Sequence, residues 1–110
     1  MIDDTIQRIE ARLRSSDAMP ETTRAELLNL LATLKREVAH LPAAHAEQAQ
    51  TIARAADLST EQALAPERDE ERYRGALDEL AGSVHEFEDS HPRLVQVVNN
   101  IANTLAGLGI

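Results

Sequence analysis

Two Glu-x-x-His pairs are the residues of this sequence whose types and spacing could do chemistry. They are Glu37-Val38-Ala39-His40 and Glu88-Asp89-Ser90-His91. On an α-helix this spacing puts the carboxylate and the imidazole on one face, where both can bind the same metal ion. Di-iron helical bundles use two such pairs together with one further Glu from each of two other helices.

The surroundings of the two pairs argue against a metal centre. His40 lies two residues before Pro42, where a helix is expected to end, and His91 precedes Pro92 in a turn. The first and last predicted helices offer only aliphatic side chains on their inner faces, so no further inward Glu is available. We therefore predict no metal site and no cofactor. His91 is expected to organise the turn, and His45 and His85 to be solvated. A metal-binding bundle that uses the Glu-x-x-His pairs is kept as the alternative.

Other kinds of chemistry have less support. The 110 residues contain no Cys, which excludes disulfides and thiolate metal sites. No glycine-rich phosphate loop or nucleophile elbow is present, so we predict no catalytic residues and no enzyme activity. A net charge of −8 with two aromatic residues disfavours nucleic acid and anionic membranes as partners. Because the sequence has no apolar run of about 20 residues and its beginning lacks the pattern of a signal peptide, we expect a cytoplasmic location.

The apolar residues predict an all-α fold. Pro20, Pro42, Pro66 and Pro92 divide the chain, and four of the segments repeat large apolar residues at alternating intervals of four and three, the period of helices that pack on helices. These stripes predict two antiparallel helical hairpins, residues 2–41 and 66–108, in a four-helix bundle or a coiled-coil-like arrangement. The stripes are Ile2, Ile6, Ile9 and Leu13; Leu27, Leu31, Leu34, Val38 and Leu41; Tyr73, Leu77, Leu80, Val84 and Phe87; and Leu94, Val98, Ile101, Leu105 and Leu108.

Residues 42–65 form an Ala-rich segment between the hairpins, with nine Ala and three larger apolar residues. We predict a connecting helix that buries little area and packs only at one edge of the bundle or within an oligomer. Residues 59–62 resemble a capping box that starts a further short turn.

Ser90 is a suitable N-cap for the last helix, and Gly109 is a suitable left-handed stop after it. The whole chain, 1–110, is expected to be one domain made of residues 1–41, 42–65 and 66–110.

Self-association is predicted from the thin core. Ile, Leu, Val and Phe together number 26 of the 110 residues, and chains with few large apolar residues often gain stability by association. Leu28, Leu30, Val95 and Val97 flank stripes that are already wide enough for one seam. We therefore expect a homodimer or higher oligomer, with these four residues as contacts for a second copy or for another protein. The net charge of −7 over residues 56–110 leaves a basic protein partner as a further alternative.

The C-terminal part of the chain resembles a known family. Phe87-Glu88 and Ser90-His91-Pro92, followed by Leu94 and an apolar helix that ends in Leu-Gly-Ile at 108–110, are similar to the small bacterial proteins catalogued as domain of unknown function 4404. The N-terminal hairpin is similar in layout, whereas residues 42–66 do not resemble the family. The resemblance implies a bacterial, cytoplasmic, all-helical protein, and it implies no activity or functional residues.

Overall fold

The computed structural model describes residues 2–108, and within that range every regular element is helical. The all-α prediction is therefore confirmed. Five α-helices follow one another along the chain. A single 3₁₀ turn at Ala43–His45 precedes the third helix, and another at His85–Phe87 follows the fourth. The helices are α1 (Ile2–Ser15), α2 (Glu21–Ala39), α3 (Ala46–Leu64), α4 (Glu70–Gly82) and α5 (Pro92–Gly107). One core of buried apolar side chains contains residues from all five.

The first hairpin, formed by α1 and α2, is closed by the side chain of Arg24. The last carbonyl groups of a helix have no partner within the helix, so they need donors from elsewhere. The Arg24 guanidinium supplies these donors: Nη1 donates to the Leu13 carbonyl oxygen at 2.5 Å, and Nη2 donates to the Ser16 carbonyl oxygen at 2.7 Å. A positive charge at this end of α1 is also favourable to the helix dipole.

The Ala-rich segment forms a central helix, which corrects the prediction that it packs only at one edge. α3 contacts α1, α4 and α5. Its side chains are buried on more than one face, including Ala49, Ile52, Ala53 and Ala56. Each Ala buries little area, but small side chains let neighbouring helices approach closely from several directions at once. The burial of an Ala-rich helix therefore depends on the number of its neighbours as well as on the area of each side chain.

Residues 59–62 do not start a new helical turn, contrary to the prediction of a capping box. They continue α3 without a break, and both hydroxyl side chains there are buried. Ser59 Oγ donates to the carbonyl oxygen of Ala76 in α4 at 2.9 Å. Thr60 Oγ1 donates back to the Ala56 carbonyl oxygen in its own helix at 2.8 Å. These two polar groups are therefore satisfied inside the bundle rather than at a helix end.

The second hairpin is shorter than the predicted 66–108. The predicted hairpin begins at Pro66 and the stripe of its first helix runs to Phe87, but α4 begins at Glu70 and ends at Gly82. Asp69 is the N-cap, and its carboxylate accepts from the backbone N–H groups of Glu71 and Arg72. An Asp at this position is a stronger start signal than an upstream Pro.

Arg68, which precedes α4, joins the ends of three helices. Its Nη2 donates to the carbonyl oxygen of Ala63 near the end of α3, at 2.6 Å, and to that of Leu108 after α5, at 3.3 Å. Its guanidinium also lies 4.5 Å above the centre of the Tyr73 ring in α4, and Tyr73 Oη donates to the Leu105 carbonyl oxygen. The stretch 65–69 is therefore held by side-chain contacts instead of by helix.

The remaining ends differ from the predictions by one or two residues. α2 ends at Ala39 rather than Leu41, and the N-cap of α5 is His91 rather than Ser90. Ser90 Oγ instead lies 2.9 Å from His91 Nδ1. The predicted left-handed stop at Gly109 lies outside the described residues.

Candidate functional site

All four histidines lie at one end of the bundle. His40 follows α2, His45 precedes α3, His85 follows α4 and His91 precedes α5. Consecutive antiparallel helices bring these junctions together. Side chains from the start of α3 line one cleft with Ser83 and Glu86 beyond the end of α4. The opposite ends of α2 and α5 also meet, since Thr23 and Thr104 line a common depression. The two predicted Glu-x-x-His pairs are therefore at the same end of the molecule.

Phe87 connects two of these histidines. Its side chain is buried, and its ring meets those of His45 and His91 edge-on, with ring centres 5.3 Å and 5.6 Å apart. Edge-to-face contacts of this kind are favourable because the positive ring edge meets the negative ring face. Phe87 and His91, which belong to the motif on which the family resemblance rests, therefore cover this end of the core. His45 is half-buried against Phe87, so the prediction that it is solvated was wrong.

The imidazole nitrogens of the other histidines face local partners rather than one another. His40 Nδ1 lies 2.7 Å from the Arg36 carbonyl oxygen, and exposed His85 is 3.1 Å from the Glu88 carboxylate. Within residues 2–108 no group of three or more His, Asp or Glu side chains is placed so that it could hold a metal ion. The described structure therefore gives the Glu-x-x-His pairs no common site.

His91 organises its turn through the backbone. Its N–H donates to the Phe87 carbonyl oxygen at 2.8 Å, and its own carbonyl oxygen accepts from the Val95 N–H at 3.3 Å. The His91 side chain makes no capping bond to α5. The predicted role at the turn is thus carried by the main chain and by the ring contact with Phe87.

Charged groups between α1 and α3 form a second cluster, which the sequence analysis missed. Asp57 is only 8% exposed and accepts from Arg8 Nη1 and Arg12 Nε, each at 3.1 Å. Arg12 Nη2 also lies 3.5 Å from the Glu61 carboxylate. The sequence signal for this cluster is a spacing of four residues within each pair. This spacing places Arg8 and Arg12 on one face of α1, and Asp57 and Glu61 on one face of α3. All four charges pair with one another, so this cluster joins two helices and is not a ligand site.

A cleft with a mainly polar lining lies between the start of α3 and the end of α4. Its volume is about 560 Å³, and Glu47, Arg54 and Glu86 are among the residues that line it. Gln48 contributes a buried Oε1 that has no hydrogen-bond partner among the described residues. The cleft has two acids and one base on its walls. The two hydroxyl groups that line it donate to backbone carbonyl oxygens, Thr51 Oγ1 to that of Glu47 and Ser83 Oγ to that of Leu80.

α2 and α5 each contain a long stretch without charged residues. α2 has no charged residue from 27 to 34, and α5 has none after Arg93 as far as residue 108. The two helices pack side by side. We call the exposed residues of these two stretches the uncharged face: Asn29, Ala32, Gln96, Asn99, Asn100, Asn103, Ala106 and Gly107.

Half-buried apolar side chains border the uncharged face. Of the four residues expected to be left over for contacts, Leu28, Leu30 and Val95 are half-buried. Val97 is only 8% exposed and belongs to the core of the chain itself, so the expectation was wrong for that residue. The single large apolar side chain that is exposed among the described residues is Leu58, at 39%, on α3. Exposed apolar area on its own is therefore small.

The solvent side of α4 is charged, in contrast to the uncharged face on α2 and α5. Glu70, Glu71, Asp78 and Glu79 are exposed there, and with exposed Arg72 and Arg74 they give α4 a net charge of −2. No helix among residues 2–108 is long and apolar enough to cross a membrane.

Comparison with known proteins gives one finding. Neither the curated proteins nor the solved structures include a match to this chain. The family model described as "Domain of unknown function (DUF4404)" matches residues 27–110, a range that also includes residues 42–66. The match covers more than half of the chain and includes the Phe87–Pro92 turn. The chain therefore belongs to this family, the domain of unknown function DUF4404.

Proposed function

We propose that this protein is a small homo-oligomeric helical module with a structural or protein-interaction role, without catalysis, that acts in the cytoplasm. Its partner is a second copy of the chain. The observation that carries the proposal is the uncharged face on α2 and α5, bordered by half-buried Leu28, Leu30 and Val95. The centres of protein interfaces are depleted in charged residues in the same way.

Electrostatics supports this choice of face. Two copies with a charge of −8 each repel one another at long range. Contact through α4 would bring exposed acids such as Asp78 and Glu79 together, and like charges that face one another oppose association. Contact through the uncharged face keeps those acids apart. The polar amides there can also exchange hydrogen bonds with water for hydrogen bonds across an interface.

Sedimentation velocity tests the proposal. We expect the chain to sediment as a dimer or larger species at tens of micromolar. The variant Gln96→Glu/Asn100→Glu adds two acids to the uncharged face and should shift the chain towards monomer. The control Gln7→Glu/Ala11→Glu adds two acids at the same spacing on the exposed side of α1 and should leave the association unchanged. A wild-type chain that is monomeric at these concentrations would refute the proposal.

The alternative, a metal-binding bundle that uses Glu37, His40, Glu88 and His91, has a separate test. Metal analysis of protein purified without chelators should find no near-stoichiometric iron, zinc or manganese, since the two imidazoles face local partners. Stoichiometric metal that is lost in the variant His40→Ala/His91→Ala would establish the alternative in place of our proposal.

A further inference from the structure

We infer that two copies associate through α2, antiparallel, with Glu26 of each copy opposite Arg36 of the other. This inference rests on the proposed function and specifies the contact. It follows from the order of side chains along the outer side of α2 and from the opposite signs of Glu26 and Arg36 on that side.

The outer side of α2 carries a seam with regular helical spacing. Thr22, Glu26, Asn29, Thr33 and Arg36 follow one another at intervals of four, three, four and three, so they share one face of the helix. All five are exposed or half-buried. A shallow depression of about 470 Å³ follows this seam from residue 22 to residue 33 and includes half-buried Leu30. The inner stripe of α2 is buried in the core, so this seam is a second, independent face of the same helix.

The two charges on the seam lie symmetrically about its middle. Glu26 and Arg36 are separated by ten residues, which is about 15 Å along a helix. Asn29 and Thr33 lie between them at equal distances from each end. If a second copy runs antiparallel, each Glu26 meets an Arg36 and each Asn29 meets a Thr33. If it runs parallel, Glu26 meets Glu26 and Arg36 meets Arg36. The charges therefore select the antiparallel arrangement.

Both charged groups are available for such a contact. None of the ion pairs within residues 2–108 involves Glu26 or Arg36. Glu26 is exposed, and Arg36 makes only a 3.3 Å hydrogen bond to Thr33 Oγ1 on its own helix. By contrast, the guanidinium of Arg24, on the inner side of α2, already donates to carbonyl oxygens at the end of α1. The seam thus offers one unpaired acid, one unpaired base and two neutral polar side chains in a self-complementary order.

Charge reversal tests the register. Glu26→Arg and Arg36→Glu each place like charges opposite one another, so each should weaken association at least about tenfold in sedimentation equilibrium. The double variant Glu26→Arg/Arg36→Glu restores both pairs and should recover association close to that of the wild type. Circular dichroism of each variant checks that the helices are intact. Two single variants that associate like the wild type, or a double variant weaker than either, would overturn the inference.

Cysteine cross-linking gives an independent reading, because the natural chain has no Cys. Ala32 is exposed and lies beside the centre of the seam, so in Ala32→Cys the two thiols of a dimer come close to the symmetry axis. We expect rapid disulfide-linked dimer in this variant and slow formation in the control Ala81→Cys, on the exposed side of α4.

The two levels of the proposal fail differently. If the wild type is monomeric, both the oligomeric function and the α2 register are refuted. If the wild type associates but Ala32→Cys cross-links no faster than Ala81→Cys, the register is refuted and the oligomeric function stands.

Discussion

Asp57 shows at the residue scale what sequence patterns could and could not predict. The sequence predicts that Arg8 and Arg12 lie on one face of a helix, because they are four residues apart. It does not indicate their partner, which lies at least 45 residues further along the chain, on α3. An acid in an Ala-rich helix has the appearance of a solvated residue until the tertiary neighbours are known. Its burial depends on α1 packing across α3 and not on any local preference.

Replacement of Asp57 should destabilise the protein more than replacement of an exposed acid. Asp57→Ala removes two charge-assisted hydrogen bonds, and we expect it to lower the free energy of unfolding by about 2 kcal/mol. Asp78→Ala removes an exposed carboxylate on α4 that has no ion-pair partner among the described residues, with an expected change of about 0.5 kcal/mol or less. Urea unfolding followed by circular dichroism measures both. Equal losses in the two variants would show that the cluster contributes nothing.

The histidines illustrate a second limit at this scale. Glu-x-x-His spacing establishes which side chains share a helix face, but a metal centre requires several helices to bring such faces together. Here His40 lies just beyond the end of α2 and His91 lies just before α5, so both are at points where the chain turns. The nearby prolines made this visible in the sequence. The contact of Phe87 with His45 was not visible, because residues of two distant turns meet there.

At the scale of elements, the four stripes predicted four helices and most of their inner faces, although Val84 and Phe87 of the third stripe lie beyond the end of α4. Ile6, Leu31, Leu80 and Leu105, one from each stripe, are all buried. The remaining helix was recognised by propensity, but its position was not, because Ala carries no strong apolar pattern. A helix with Ala on several faces can lie at an edge or in the centre, and the choice depends on the shapes of its neighbours.

A central α3 has a consequence for substitutions of its alanines. Ala56 is fully buried, so Ala56→Leu adds three carbon atoms inside the packed core, and we expect a loss of about 1–3 kcal/mol in unfolding free energy. Ala46→Leu on the exposed first turn of the same helix serves as the control and should change stability by about 0.5 kcal/mol or less. If α3 packed only at an edge, Leu at position 56 would add buried area and stabilise the protein instead.

At the scale of the whole molecule, α1 lies outside the part of the chain that the family model matches, residues 27–110. The structure nevertheless makes α1 part of the common core. Ile6, Ile9 and Leu13 are buried, and α1 packs on both α2 and α3. We therefore expect that the matched region does not fold on its own in this protein, because without α1 it would expose one side of α3.

Deletion of residues 1–19 tests this dependence. Burial of three large aliphatic side chains contributes about 6 kcal/mol, which is comparable to the whole stability of a small domain. We expect the shortened chain to lose its cooperative thermal transition and to bind a hydrophobic dye that the full chain does not bind. Scanning calorimetry and dye fluorescence measure these properties. A sharp transition close to that of the full chain would show that residues 20–110 fold independently.

The order of contacts along the chain determines when the protein can fold during synthesis. α1 cannot complete its packing until Asp57 and its neighbours on α3 have been synthesised. α2 cannot complete its packing until α5, the last of the five helices, has been synthesised. At ribosomal rates of about 5–20 residues per second, the inner side of α2 stays uncovered for roughly several seconds after α2 itself has been made. A nascent first hairpin therefore exposes to water the Leu side chains of α2 that α5 later covers.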